Sequence, residues 1–174
     1  RKLRERMKIP VFHDDQHGTA ICVSAAFING LKVVGKDIDK VKVVTSGAGA
    51  AALACLDLMV DLGLPLENIW VTDIEGVVFE GRTVLMDPDK ARFAQKTDAR
   101  KLAEVIQDAD VFLGLSAGGV LKPEMVATMG PRPLILALAN PTPEILPEVA
   151  HGVRDDVVMA CLLYTSDAAD DSLR

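Results

Sequence analysis

The sequence predicts a single α/β domain built on a doubly wound, mainly parallel sheet. Three observations lead to this. Short aliphatic and β-branched runs alternate with helical stretches and short loops along most of the chain. Those runs are continuously apolar rather than alternating, the pattern of strands covered on both faces. The length of 174 residues and a hydrophobic content of 49% suffice for one core of ordinary size and not for two. No internal repeat or low-complexity linker interrupts the pattern.

The opening RKLRERMK, residues 1–8, reads as the end of a helix already under way. Arg1, Lys2, Arg4, Arg6 and Lys8 form either a polyanion patch or a solvated helix end. After Pro10 and a polar turn, residues 18–34 are apolar and alanine-containing, with Gly35 as a stop, which predicts a buried helix with Thr19 near its cap. KVVT at 42–45 is a β-branched strand, and residues 50–62 form a helix ended by Gly63. NIWVT at 68–72 is the second strand, followed by an irregular stretch at 74–87 rich in Gly, Asp and Pro. Helical patterns cover 88–95 and 98–108, and DVFLGL at 110–115 is the third strand. A short helix with Pro123 in its first turn covers 123–129, and strands follow at 134–139 and 156–160.

The domain therefore spans residues 9–160. From Cys161 to Arg174 the run CLLYTSDAADDSLR has no apolar periodicity after Leu163. It resembles the conceptual translation of a transposon-end sequencing adapter, so 161–174 is read as a non-native tail, the other reading being a short polar C-terminus. Tyr164, Asp167 and Asp170 are excluded from any site. Both ends of the chain look cut.

Composition narrows the partners. Lys+Arg of 19 against Asp+Glu of 25 gives a net charge of −6, and aromatics are only 4%, so nucleic-acid binding is not expected. No apolar run approaches a membrane span and no signal-peptide pattern is seen, so no membrane partner is expected. Cys22, Cys55 and Cys161 are spaced too widely for a disulfide framework or a zinc site, which makes the cytoplasm the default compartment.

The most informative local signal is VKVVTSGAGAAALA. Gly47, Gly49 and Ala52 follow a predicted strand and open a predicted helix, the context that a G-x-G-x-x-G/A fingerprint requires. Gly47 permits the tight turn, Gly49 lacks the Cβ that would block a pyrophosphate, and Ala52 lets the helix approach the sheet. The helix N-terminus offers unpaired N–H groups and partial positive charge. Asp73 ends the next strand, where an acidic residue meets the ribose hydroxyls of a dinucleotide; the alternative is a cap or turn. Together these give a Rossmann-like dinucleotide domain. Asp73 is followed by Ile74 and Glu75, with no cation directly after the strand, so electrostatics favour NAD over NADP, although Arg82 can fold back.

Upstream, PVFHDDQHGTA gathers His13, Asp14, Asp15, Gln16 and His17 ahead of an apolar helix. The reading is either a helix N-terminus or a metal site. Adjacent carboxylates in an extended segment point opposite ways, so the pair cannot supply a full metal shell. One oxygen ligand for Mg²⁺ or Mn²⁺, with partners elsewhere, fits the chemistry.

IPVFHDDQHGTA, SGAGAAALA, GLSAGGVLKPEMV and ALANPTPEI, in this order and spacing, resemble the malic enzyme family, specifically the cofactor-binding domain of its bacterial type. The resemblance implies oxidative decarboxylation of (S)-malate to pyruvate and CO₂ with NAD or NADP and Mg²⁺ or Mn²⁺. It implies that Asp15 is a metal ligand and that Asp14 supports the proton-transfer Lys. It implies that Gly47, Gly49, Ala52 and Asp73 bind the dinucleotide, that Ser116 and Ala117 run beside the nicotinamide ribose, and that Asn140 contacts malate. An Asn-Pro turn is an equal reading of Asn140 taken alone. The family's catalytic Tyr and Lys, its malate-binding Arg and two further carboxylate ligands are expected upstream of Arg1, and a second substrate Asn beyond Ala160. The full-length enzyme is expected to be a homo-oligomer. The isolated chain is expected to bind dinucleotide and to turn over malate negligibly. Alternatives are an amino-acid dehydrogenase cofactor domain, which shares only the glycine turn, and a non-catalytic dinucleotide-binding module.

Overall fold

The computed structural model describes residues 6–161. Arg1, Lys2 and Arg4 of the basic opening, and Tyr164, Asp167 and Asp170 of the tail, lie outside the described residues. A π-helical turn at Asp14–Gly18 leads into α1 (Thr19–Val34), β1 (Val43–Ser46), α2 (Ala50–Asp61) and β2 (Ile69–Asp73). Then come β3 (Gly76–Val77), α3 (Pro88–Ala91), α4 (Leu102–Val105), β4 (Val111–Gly114), α5 (Pro123–Thr128), β5 (Leu134–Ala137), α6 (Pro147–Val153) and β6 (Val158–Cys161).

The sheet order is β3-β2-β1-β4-β5-β6, parallel throughout except for the antiparallel edge strand β3. From β1 the chain moves outward to β2, then returns to add β4 on the other side. The β1/β4 boundary is therefore the topological switch point, where ligands of such sheets bind beyond the carboxyl ends of the strands.

Strand residues alternate between two cores. Val43, Val71, Val111, Leu113, Leu134 and Leu136 pack with Phe27 and Leu31 of α1 and Leu56 and Met59 of α2. Val44, Phe112, Ile135 and Ala137 pack on the opposite face with Val105, Ile106, Val126, Met129 and Ala150. Both faces are buried, which is why the strands read as unbroken apolar runs. Each fully buried aliphatic side chain contributes about 1.5–3 kcal/mol of transfer free energy. Gly35 ends α1 in the left-handed conformation, φ 67°, as its sequence position implies. Cys22, Cys55 and Cys161 form no disulfide among the described residues, and burial pushes the thiol of Cys55 up to about 12.

Several expectations are corrected. The helices read over 88–95 and 98–108 shrink to the four-residue α3 and α4. The Asp87 carboxylate caps α3, and beyond it Phe79 bridges to Gln95, whose side-chain amide donates to the carbonyls of Leu66 and Ile69. The stretch at 74–87 contains β3, which two residues could not announce by periodicity. Thr19 does not cap α1; His13 O accepts from the N–H groups of Gln16 and His17, and the π turn supplies the entry. The last strand, read over 156–160, runs Val158–Cys161, and its buried Cys161 pairs with Ala137 of β5. Finally, residues Asp14–Val34 form one helical run of 21 residues with hydropathy 1.3, long and apolar enough to cross a membrane, contrary to the expectation from the sequence. Its inner face, through Val23, Phe27 and Leu31, is committed to the sheet.

Candidate functional site

The start of α1, the first turn of α2 and the ends of β4, β5 and β6 line a cleft of about 550 Å³ at the carboxyl edge of the sheet. Its walls include Asp14, Asp15, Gly18, Ala51, Leu115 and Leu138. The first wall is the glycine turn after β1. Gly47 has φ 111°, and a Cβ there would overlap the backbone carbonyl of Leu115 at the end of β4. Both conformation and space therefore require glycine. Gly49 differs: its φ of −80° is open to any residue, and a Cβ there would meet nothing within 4 Å. It is the N-cap of α2 and supplies no side-chain cap, so the first-turn N–H groups of this 12-residue helix receive no side-chain acceptor. Ala52 is buried and brings α2 close to the sheet.

The second wall is the acidic turn. Asp14 and Asp15 are exposed and both line the cleft. Their segment is helical rather than extended, so successive side chains fan out around the turn instead of opposing each other. This corrects the geometry inferred from the sequence. Gly18 makes room for it, because a Cβ there would overlap the Asp14 carboxylate. His13 N–H donates to Nδ1 of His17 at 2.9 Å, and the His17 ring stacks obliquely on Phe12 at 5.2 Å. Among the described residues no group of three His, Cys, Asp or Glu is placed to hold a metal ion. Asp15 thus offers one hard oxygen donor and needs partners from elsewhere.

The end of β2 lies at the same edge of the sheet but outside the residues that line the cleft. The Asp73 carboxylate accepts from Arg82 Nη2 at 2.7 Å on both oxygens, from Lys90 Nζ at 2.8 Å and from the Glu75 N–H at 2.9 Å. Burial pushes its pKa up, but the bonds from Lys90, Arg82 and Glu75 prevail and hold it below the ordinary carboxylate value. The remaining donors of Arg82 go to the carbonyls of Gly76, Val77 and Val84. Two cations thus share one carboxylate, and the cluster is formally positive. Arg82 folds back onto Asp73, as the sequence allowed, and Lys90 joins it. Ile74, next in sequence, is 91% exposed.

The third part lies after β4 and β5. Ser116 and Ala117 are exposed, and Ser116 Oγ lies 2.8 Å from Ser46 Oγ, tying this loop to the residue before Gly47. Asn140 is exposed at the end of β5 and its peptide with Pro141 is cis. It belongs to the loop that frames the cleft but is not among the residues lining it. The sequence reading missed Lys90 and Glu144. Lys90 carried no local signal; Glu144 could have been noticed as the one acid in an otherwise apolar PEILP run.

Residues 16–160 match the family model described as malic enzyme, NAD binding domain. The NAD-dependent malic enzyme of Rhizobium meliloti (strain 1021) is 65% identical over 159 residues, which cover 91% of this chain and 21% of that protein. The NADP-dependent malic enzyme of Haemophilus influenzae (strain ATCC 51907 / DSM 11121 / KW20 / Rd) is 56% identical over the same length, with the same coverage. The crystal structure of the Entamoeba histolytica malic enzyme superposes with a TM-score of 0.84 at 35% identity, over 92% of this chain and 35% of that one. The chain spans about a fifth of the length of the curated relatives it matches.

Proposed function

The chain belongs to the malic enzyme family, as its NAD-binding domain, and from that premise we propose that it forms the cofactor side of an enzyme that oxidatively decarboxylates (S)-malate to pyruvate and CO₂. The observation that carries this reading is one cleft with two chemically different walls. On one side is the uncapped N-terminus of α2 behind Gly47 and Gly49; on the other are the carboxylates of Asp14 and Asp15. The first suits a pyrophosphate and the second suits cationic chemistry. An amino-acid dehydrogenase domain would need only the first wall, and so would a non-catalytic dinucleotide module.

In this reading the α2 N–H groups orient the dinucleotide, and Ser116 and Ala117 flank its nicotinamide half. Asn140 contacts malate, and Asp14 supports the group that moves the proton. Asp15 would hold Mg²⁺ or Mn²⁺ together with ligands outside the described residues; when bound, such an ion polarises the substrate's oxygen atoms. The cofactor is NAD or NADP. The Asp73–Arg82–Lys90 cluster has a formal net positive charge, which weakens the electrostatic ground for preferring NAD without selecting NADP. A homo-oligomer is supported by the exposed apolar side chains of Ile21 and Val33 on the outer face of α1, and a cytoplasmic location by three cysteines spaced without a disulfide framework.

The test is malate-dependent NADH or NADPH formation by the full-length protein in the presence of Mn²⁺. Asp15→Asn is expected to lower kcat by about 100-fold or more while leaving dinucleotide affinity within about twofold. Unchanged turnover in Asp15→Asn would contradict the role given to Asp15, and binding indifferent to Mn²⁺ and malate would favour a non-catalytic module.

A further inference from the structure

Glu144 is fully buried, yet no cation accompanies it in any ion pair among the described residues. Its Oε1 accepts the Ser116 N–H at 2.9 Å, after β4, and its Oε2 accepts the Ala139 N–H at 3.0 Å, after β5. Through Ser116, whose hydroxyl meets Ser46, the same carboxylate is tied to the residue before the glycine turn. The backbone adds two more links between these loops, Gly119 N–H to Pro143 O at 3.1 Å and Leu121 N–H to Glu144 O at 3.1 Å. Gly114 is the opening through which the carboxylate reaches the loops, because a Cβ there would overlap the carboxyl group.

A buried carboxylate with two backbone donors is an expensive way to close a loop unless the geometry matters. The two loops it joins carry Ser116, Ala117 and Asn140 and lie on the β4/β5 side of the switch point. The adenosine half of a dinucleotide belongs to the β1–α2–β2 side. We propose that Glu144 is a positioning residue that fixes the nicotinamide-side rim of the cleft, setting Ser116 and Ala117 against Asn140 without touching the ligand itself. The inference rests on the dinucleotide reading of the cleft.

Glu144→Gln tests it, because the amide presents an NH₂ group to one of the two N–H donors and so loses one bond without changing shape. Binding of NADH and of ADP-ribose, which lacks nicotinamide, is compared in the full-length protein by calorimetry. The expected result is ADP-ribose affinity within about twofold of wild type and NADH affinity weakened about tenfold, the size of one lost hydrogen bond. Loss of both ligands together, or of neither, would overturn the inference, since a merely structural role does not distinguish them. Gly114→Ala, which presses on the carboxylate from β4, is expected to give the same selective loss and decides by the same outcomes if Glu144→Gln does not fold. A wild-type protein that binds neither ligand would overturn the dinucleotide reading and this inference with it.

Discussion

Replacing Gly49 with leucine is expected to abolish dinucleotide binding while leaving the fold standing. The backbone at Gly49 is extended and a Cβ there meets nothing within 4 Å, so the protein itself raises no objection to a side chain. Glycine is a moderate N-cap and leucine a poor one, which costs about 1 kcal/mol. A pyrophosphate approaching the α2 N–H groups would meet the new side chain directly, so affinity for NAD⁺ is expected to fall by about 100-fold or more. Gly47 supplies the contrast. There φ is 111° and a Cβ would overlap the Leu115 carbonyl, so Gly47→Ala is expected to damage folding itself. Thermal melting with a fluorescence titration of NADH separates the two. Undiminished binding in Gly49→Leu would mean that the phosphates are held elsewhere.

The second large effect is expected at Asp73. Arg82, Lys90 and Asp73 have side chains only 4%, 9% and 10% exposed, so removing the shared anion leaves two buried cations without their partner. Asp73→Asn is expected to lower stability by about 3–5 kcal/mol at neutral pH, read as a shift of the denaturant midpoint. The sign with pH follows from the depressed pKa of Asp73. Its stabilisation is fully present above the unfolded value near 3.9 and is lost as pH falls through the lower folded value. Wild type is therefore expected to lose part of its stability below about pH 4, and Asp73→Asn is expected to show a flatter acid limb there. The same variant is expected to turn relative affinity toward NADP⁺, because the cations that remain suit a 2′-phosphate. An acid limb identical in the two proteins would show that the cluster contributes nothing.

What the sequence displayed well was whatever depends on neighbours along the chain. The turn at Gly47–Gly49 was legible because a β-branched strand, two glycines and an alanine-rich helix follow each other without interruption. The long helix α1 was legible because its apolar run ends on Gly35, whose left-handed φ the structure reproduces. The cluster at the end of β2 was not. Lys90 reaches Asp73 only because the chain turns back through the two-residue β3, too short to carry a period, and through a helix that stops after Ala91. The orientation of Asp14 and Asp15 was misread for a related reason. Two adjacent acids followed by Gly suit an extended turn as well as a helical one, and the helical turn is closed by His13 O accepting from Gln16 and His17. Glu144 was hidden by a motif that reads locally as turns, while its two donors come from loops on different strands.

The central claim is that the cleft at the β1/β4 switch point holds the dinucleotide, with its pyrophosphate at the N-terminus of α2. Amide chemical-shift mapping during titration with NAD⁺ tests this most directly. The account predicts that the largest changes fall on Ala48, Gly49, Ala50 and Ala51, with smaller ones at Ser116 and Ala117. Saturable changes confined to other surfaces, with these amides unmoved, would contradict it.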